Sequence, residues 1–130
     1  MKAIVEYFKN CPQLSGQSVR EDYLDAASGS VAIVPDGGEQ IIKKYASGDY
    51  LGQISFKIMV RENFTGKVSQ LLESISNWIE NQVVMPMLDL DRQAQYMEVS
   101  EGTRLVKTEA GAGIYEMKLR LVYYRKGDSI

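Results

Sequence analysis

The chain has 130 residues, a hydrophobic fraction of 45% and a charged fraction of 25%, the composition of one globular domain, residues 1–130, built on a single core. Its net charge of −2 supplies no bulk attraction to nucleic acid or to an anionic membrane, both of which favour a basic excess. With no histidine and one cysteine, it lacks the commonest general base, every His-dependent triad, a Cys/His metal set and an internal disulfide.

The first nine residues, Met1 to Lys9, are too few and too charged for the apolar stretch of a secretory signal, and no apolar run approaches the ~18 residues of a membrane span. Synthesis inside the cell is the expectation. Ala3–Lys9 puts Ile4, Val5 and Phe8 on one side and Glu6 and Lys9 on the other, a short helix ended by Asn10-Cys11-Pro12. A Gly/Ser turn leads to a predicted strand over Val19–Leu24. Ser30–Val34 is a β-branched run closed by the turn signal Pro35-Asp36-Gly37-Gly38, and Gln40–Tyr45 follows as a strand stopped by Ser47-Gly48-Asp49. In Tyr50–Arg61, Ile54, Phe56, Ile58 and Val60 alternate with Ser55, Lys57, Met59 and Arg61, which predicts a strand with one buried face.

Lys67–Val83 changes period. Val68, Leu71, Leu72, Ile75, Trp78, Ile79 and Val83 recur at helical spacing, with Thr65 placed as an N-cap and Pro86 as a stop. Beyond a loop, Gln93–Ser100 reads as a strand, Glu101-Gly102 as a tight turn, and Arg104–Glu109 as another strand. Ala110-Gly111-Ala112-Gly113 turns the chain into Ile114–Arg125, where Tyr115, Met117, Leu119, Leu121 and Tyr123 face one way. Glu116, Lys118, Arg120, Val122 and Tyr124 face the other, and residues 126–130 form a tail. Strands in runs with only two helices predict an α+β fold: a mixed, mainly antiparallel sheet with both helices on one face.

Chemistry-bearing groups are sparse. Cys11, at a helix end with no activating partner, reads as a half-buried thiol. Asp89 and Asp91 form Asp-x-Asp without the rest of a calcium loop, so a solvated loop is expected. Nothing marks Glu21, Asp22 or Glu62 as members of an acid/base pair. Gly111-Ala112-Gly113 lies between two strands, where a hairpin turn and not a phosphate cradle belongs. Asn63-Phe64-Thr65 matches a glycosylation triplet with no secretory signal beside it. The eight tyrosines, among them Tyr23, Tyr45, Tyr96, Tyr115, Tyr123 and Tyr124, read as half-buried strand aromatics. Stacking on single-stranded nucleic acid is disfavoured by the acidic residues between them. Residues 61–101 carry seven acidic and three basic side chains and residues 104–130 three acidic and six basic, so faces of opposite charge could meet head to tail.

Several ordered segments carry a resemblance. They are Val19-Arg20-Glu21-Asp22-Tyr23-Leu24, Ile41-Ile42-Lys43-Lys44-Tyr45-Ala46-Ser47-Gly48, Gln53-Ile54-Ser55-Phe56 running on to Arg61-Glu62, Gln70-Leu71-Leu72-Glu73 with Trp78-Ile79-Glu80, and Arg120-Leu121-Val122-Tyr123-Tyr124. In this order and spacing the chain resembles small phage and prophage tail proteins described as minor capsid or tail-terminator-like. That resemblance implies a tail-terminator-like fold and a structural protein, neither an enzyme nor a cofactor or metal binder. Its partners would be copies of itself in a ring, typically a hexamer and in some cases assembled only on the tube, then the tail tube protein and a head-completion protein. The ring stops tail polymerisation and joins tail to head; the protein is made in the bacterial host cytoplasm and ends in the virion tail. Another head–tail connector or minor virion protein is the alternative, followed by an unrelated binding module or enzyme. Lys43, Lys44, Tyr45, Arg61, Arg120 and Tyr124, polar or aromatic on strand faces turned from the core, are the expected contact residues.

Overall fold

The computed structural model describes residues 2–14, 19–24, 30–62, 65–82, 85–109 and 111–127, with only the backbone described at 65–69 and 109. The elements run α1 (Lys2–Phe8), a 3-10 turn (Pro12–Leu14), β1 (Val19–Glu21), β2 (Ser30–Pro35), β3 (Gln40–Lys44), β4 (Tyr50–Glu62), α2 (Thr65–Glu80), β5 (Arg92–Glu109) and β6 (Ala112–Arg125). They form a mixed six-stranded sheet in the order β1-β2-β4-β6-β5, with β3 beside β4. Every pairing is antiparallel except β1 with β2. The α+β class read from the sequence is the observed one.

β4 and β6 pair along their whole length, from Tyr50↔Arg125 to Glu62↔Gly113. Period-two alternation then sorts their side chains onto two faces. Phe56, Ile58 and Val60 of β4 join Tyr115, Met117, Leu119, Leu121 and Tyr123 of β6, Val31 and Ile33 of β2, and Ala94 and Met97 of β5 in one buried cluster. The same cluster holds Ile4, Val5, Tyr7 and Phe8 of α1 and Leu72, Ile75 and Ile79 of α2. Both helices therefore cover one face. Phe8 bridges them, with ring centroids 6.0 Å from Phe56 and 6.0 Å from Trp78. Trp78 itself is only half-buried, at the margin of the cluster.

Several sequence boundaries move. The first strand stops at Glu21 because Asp22 turns the backbone to φ +73°. The third stops at Lys44, and Tyr45 enters the hairpin turn. α2 spans Thr65–Glu80, so Thr65 is its first helical residue and the helix ends well before Pro86; Val83 and the Thr65 side chain lie outside the described residues. The Gly/Ser turn at 15–18, Asn63 and Phe64 of the glycosylation triplet, and Ala110 lie outside them too.

The largest correction is at Glu101-Gly102. No turn interrupts the chain there: β5 runs unbroken from Arg92 to Glu109, with register shifts on either side of Glu101. Extra residues are absorbed as bulges, which an edge strand tolerates because only one side is paired. Likewise Ala112 and Gly113 are already paired with Glu109 and Thr108, so the last turn is shorter than expected. Cys11 is fully buried, not half-buried, and burial pushes its thiol up.

Candidate functional site

Four of the six expected contact residues gather at one end of the sheet. There the cross-sheet rows are Lys43–Leu51–Tyr124–Gln93 and Lys44–Tyr50–Arg125–Arg92. Gly48, at φ +92°, makes the hairpin between β3 and β4, a conformation that glycine adopts without steric cost. The Tyr45 amide donates to the Asp49 carbonyl at 2.9 Å. On the helix-free face the Tyr45 and Tyr124 rings lie 6.1 Å apart and the Lys43 ammonium sits 5.2 Å from the Tyr45 centroid. The Tyr124 hydroxyl donates to Asp49 Oδ2, and the Gly127 amide donates to Asp49 Oδ1 at 2.6 Å. These bonds hold the Asp49 carboxyl below its usual range and the Tyr124 hydroxyl above its own. Lys44 is exposed and shares its row with Tyr50, so alternation turns it to the other face.

Arg61 and Arg120 lie elsewhere. Arg120 sits mid-sheet on the helix-free face, donating to Glu98 Oε1 and, at 3.3 Å, to Gln53 Oε1. Arg61 pairs with Ser30 and Ile114 at the opposite end of β4, about 35 Å from Tyr50 at the rise of a strand. Of the six, Lys43, Tyr45 and Tyr124 thus form one cluster, Lys44 lies at the same end on the opposite face, and Arg61 and Arg120 stand apart.

Beneath the cluster, on the helix side, is a network that the sequence did not announce. Tyr123, 1% exposed, lies over Gly52, where a Cβ would come within 2.4 Å of its ring. Its hydroxyl donates to Glu39 Oε2 at 2.6 Å. Arg92 reaches three ways: Nη1 to Glu39 Oε1 at 2.7 Å, Nε to Asp89 Oδ2 at 2.7 Å, and the guanidinium 5.3 Å above the Tyr123 ring. Asp89 Oδ1 also accepts from the amides of Asp91 and Arg92 at 2.9 and 2.8 Å. Burial on its own would raise the Glu39 carboxyl, but the bonds from Tyr123 and Arg92 outweigh it and hold Glu39 low. Burial and the Glu39 charge push the Tyr123 hydroxyl well above its usual value.

A cavity of about 410 Å³ opens beside this network, walled by Ile4, Pro35, Ile54 and Leu88 with Glu39 and Arg92 as its polar side. Glu39 and Arg92 are paired with each other, and Arg92 also with Asp89, so the arrangement works as a clamp joining loop 85–91, the start of β3 and the end of β6; Lys2 also lines the cavity. Among the described residues no group of three or more His, Cys, Asp and Glu is placed to hold a metal ion. Asp89 of the Asp-x-Asp pair is committed to Arg92 and its own turn.

Apolar side chains stand in solvent at two margins of this end: Ile41, Ile42 and Tyr45 on and after β3, and Met87 and Leu90 in the loop, where Leu90 reaches 97% exposure. Part of the charge separation expected between residues 61–101 and 104–130 is met inside the sheet. Because β5 and β6 are antiparallel neighbours, Glu98 meets Arg120 and Glu101 meets Lys118 at 3.8 Å, while Arg104 and Glu116, both of the second segment, meet at 2.9 Å.

No protein-family model matches the chain, and no curated protein matches it.

Proposed function

We propose that the chain is a structural assembly protein of a phage or prophage tail, a terminator-like subunit that works by docking. In this reading copies form a ring, hexameric in the commonest arrangement, at the end of the tail tube. The ring ends tube growth and presents the surface that a head-completion protein meets. Subunits are made in the bacterial host cytoplasm and finish in the virion. No bond is made or broken, and neither cofactor nor metal takes part.

The observation that carries the reading is the β3 end of the molecule. All five β3 residues are exposed, and Ile41, Ile42 and the following Tyr45 put apolar side chains on that edge, where water does not favour them. Lys43 and Lys44 rim that patch, and polar rims around apolar centres are the anatomy of protein interfaces. The ordered sequence segments support the tail assignment. Electron microscopy of the protein alone and with purified tail tubes tests it. A ring, or a cap at one tube end that is lost in Ile42→Asp, is the expected result. Tubes left bare at every protein concentration would overturn it.

A further inference from the structure

Far from the β3 end, the outer edge of β5 carries a different pattern. Along most of its length β5 pairs only with β6 among the described residues, which leaves a long row of backbone donors and acceptors open. Its register against β6 is unusual. Glu98 pairs with Arg120, Glu101 with Lys118, Arg104 with Glu116 and Lys107 with Ile114. Each step advances three residues on β5 for two on β6, so one residue bulges out per step. The consequence is that every third residue, not every second, returns to the helix-free face. Glu98, Glu101, Arg104 and Lys107 therefore stand in one row along the edge, on the order of 20 Å long at the rise of a strand.

That row reads acid, acid, base, base. Turned end for end about Gly102 and Thr103, it reads base, base, acid, acid. We infer that the β5 edge is a two-fold interface for a second copy of this chain, with Glu98 against the partner's Lys107 and Glu101 against the partner's Arg104. Both halves of the row then meet their opposites, giving four cross-strand charge pairs in an antiparallel contact. The charge order selects the occupant: a second β5, turned end for end, carries the opposite charge at each of the four positions. At the two-fold point stands Gly102, where even an added Cβ would meet no atom within 4 Å, so nothing in the chain holds the copies apart there. Leu105 and Val106, exposed at 52% and 40%, fall within the paired length and are covered by the contact.

All four side chains already interact within the chain, but they remain exposed and open to a further partner. The side chains of Glu98, Glu101 and Arg104 are 47%, 60% and 63% exposed. Charge across an interface mainly sets register and partner choice. The inference stands apart from the tail assignment: it needs no tube and uses neither β3 nor the loop at 85–91.

Sedimentation velocity over a concentration series of the full chain tests it. The wild-type protein is expected to form a dimer that weakens as salt rises. Glu98→Lys with Glu101→Lys makes the row wholly basic, and Arg104→Glu with Lys107→Glu makes it wholly acidic. Each double variant is expected to weaken self-association by roughly tenfold or more. An equimolar mixture of the two restores a dimer, and the chain carrying all four changes dimerises again, since its row is reversed but still self-complementary. Far-ultraviolet circular dichroism confirms folding of each variant; should the fourfold variant not fold, the mixture decides. A wild-type chain that stays monomeric at low salt, an oligomer indifferent to both double variants, or a mixture that does not associate would each overturn the inference. Loss of the dimer with tube capping intact would leave the tail assignment standing, and the reverse result would separate them the other way.

Discussion

The two faces of the sheet are made by the same strands and held by different forces. Toward the helices, β4 and β6 present Phe56, Ile58, Val60, Met117, Leu119 and Leu121, all essentially without solvent contact. Burial of that kind is non-directional and scales with area. On the other face Lys57, Glu116, Lys118 and Arg120 stand among Met59, Ile114 and Val122, the last two only 2% exposed, and no described helix covers them. Glu116 is nonetheless 3% exposed, because Lys57 at 3.4 Å and Arg104 at 2.9 Å close over it. Long cationic side chains cover this face with their stems while their charged heads find carboxylates. The covered face should therefore respond to lost volume and the open face to lost charge.

The sharpest way to break that contrast is Phe56→Ala. The ring is fully buried and packs edge-on against Phe8, so its loss should cost about 3–5 kcal/mol, read as a fall in the urea midpoint. Equivalent truncation of Lys118, whose ion pairs to Asp36 and Glu101 are 3.7 and 3.8 Å long, should stay within about 0.5 kcal/mol. Gly52→Ala comes next. Its new Cβ would sit 2.4 Å from the Tyr123 ring, and overpacking of a buried site costs roughly 1–3 kcal/mol. If the ring is the cause, Gly52→Ala should be almost neutral in a Tyr123→Ala background; an equal cost in both backgrounds would point to the backbone of β4 instead.

The covered face was legible in the sequence and the network at its end was not. Ile54 to Val60 and Tyr115 to Tyr123 alternate cleanly, so layering and fold class followed from period alone. Lys43, Tyr45 and Tyr124 came together as a site because all three fall on outward strand positions at one end. Arg61 and Arg120 did not, since alternation places a residue on a face and says nothing of its distance from the others. Glu39, Arg92 and Tyr123 were invisible for a related reason: residues 53 and 84 positions apart meet through the sheet order. The bulges of β5 defeated the reading at Glu101-Gly102. A three-residue repeat looks like a broken two-residue one, and glycine invited a turn.

Tyr123→Phe sharpens the comparison from the network side. It removes one hydrogen bond to Glu39 and leaves the ring over Gly52, so about 1–2 kcal/mol is expected. The loss should shrink in an Arg92→Ala background, because the two donors share one carboxylate. Thermal denaturation of the two single variants and the double variant closes that cycle.

Glu116→Gln is a small change and isolates the open face. Burial favours protonation of Glu116, but the Arg104 bond and the Lys57 charge win, so the carboxyl is held below its usual value. A carboxyl lowered on folding adds stability that is complete above the unfolded value of about 4.3 and is lost as pH falls through the folded one. At neutral pH, Glu116→Gln should therefore cost about 1 kcal/mol, modest because Arg104 and Lys57 regain water. In acid the wild-type advantage should vanish and the two urea midpoints converge, while Phe56→Ala keeps its deficit at both pH values. Glu39 is lowered as well, so some acid sensitivity persists in Glu116→Gln. A deficit independent of pH would mean that Glu116 contributes by packing, and the distinction between the two faces would lose its electrostatic half.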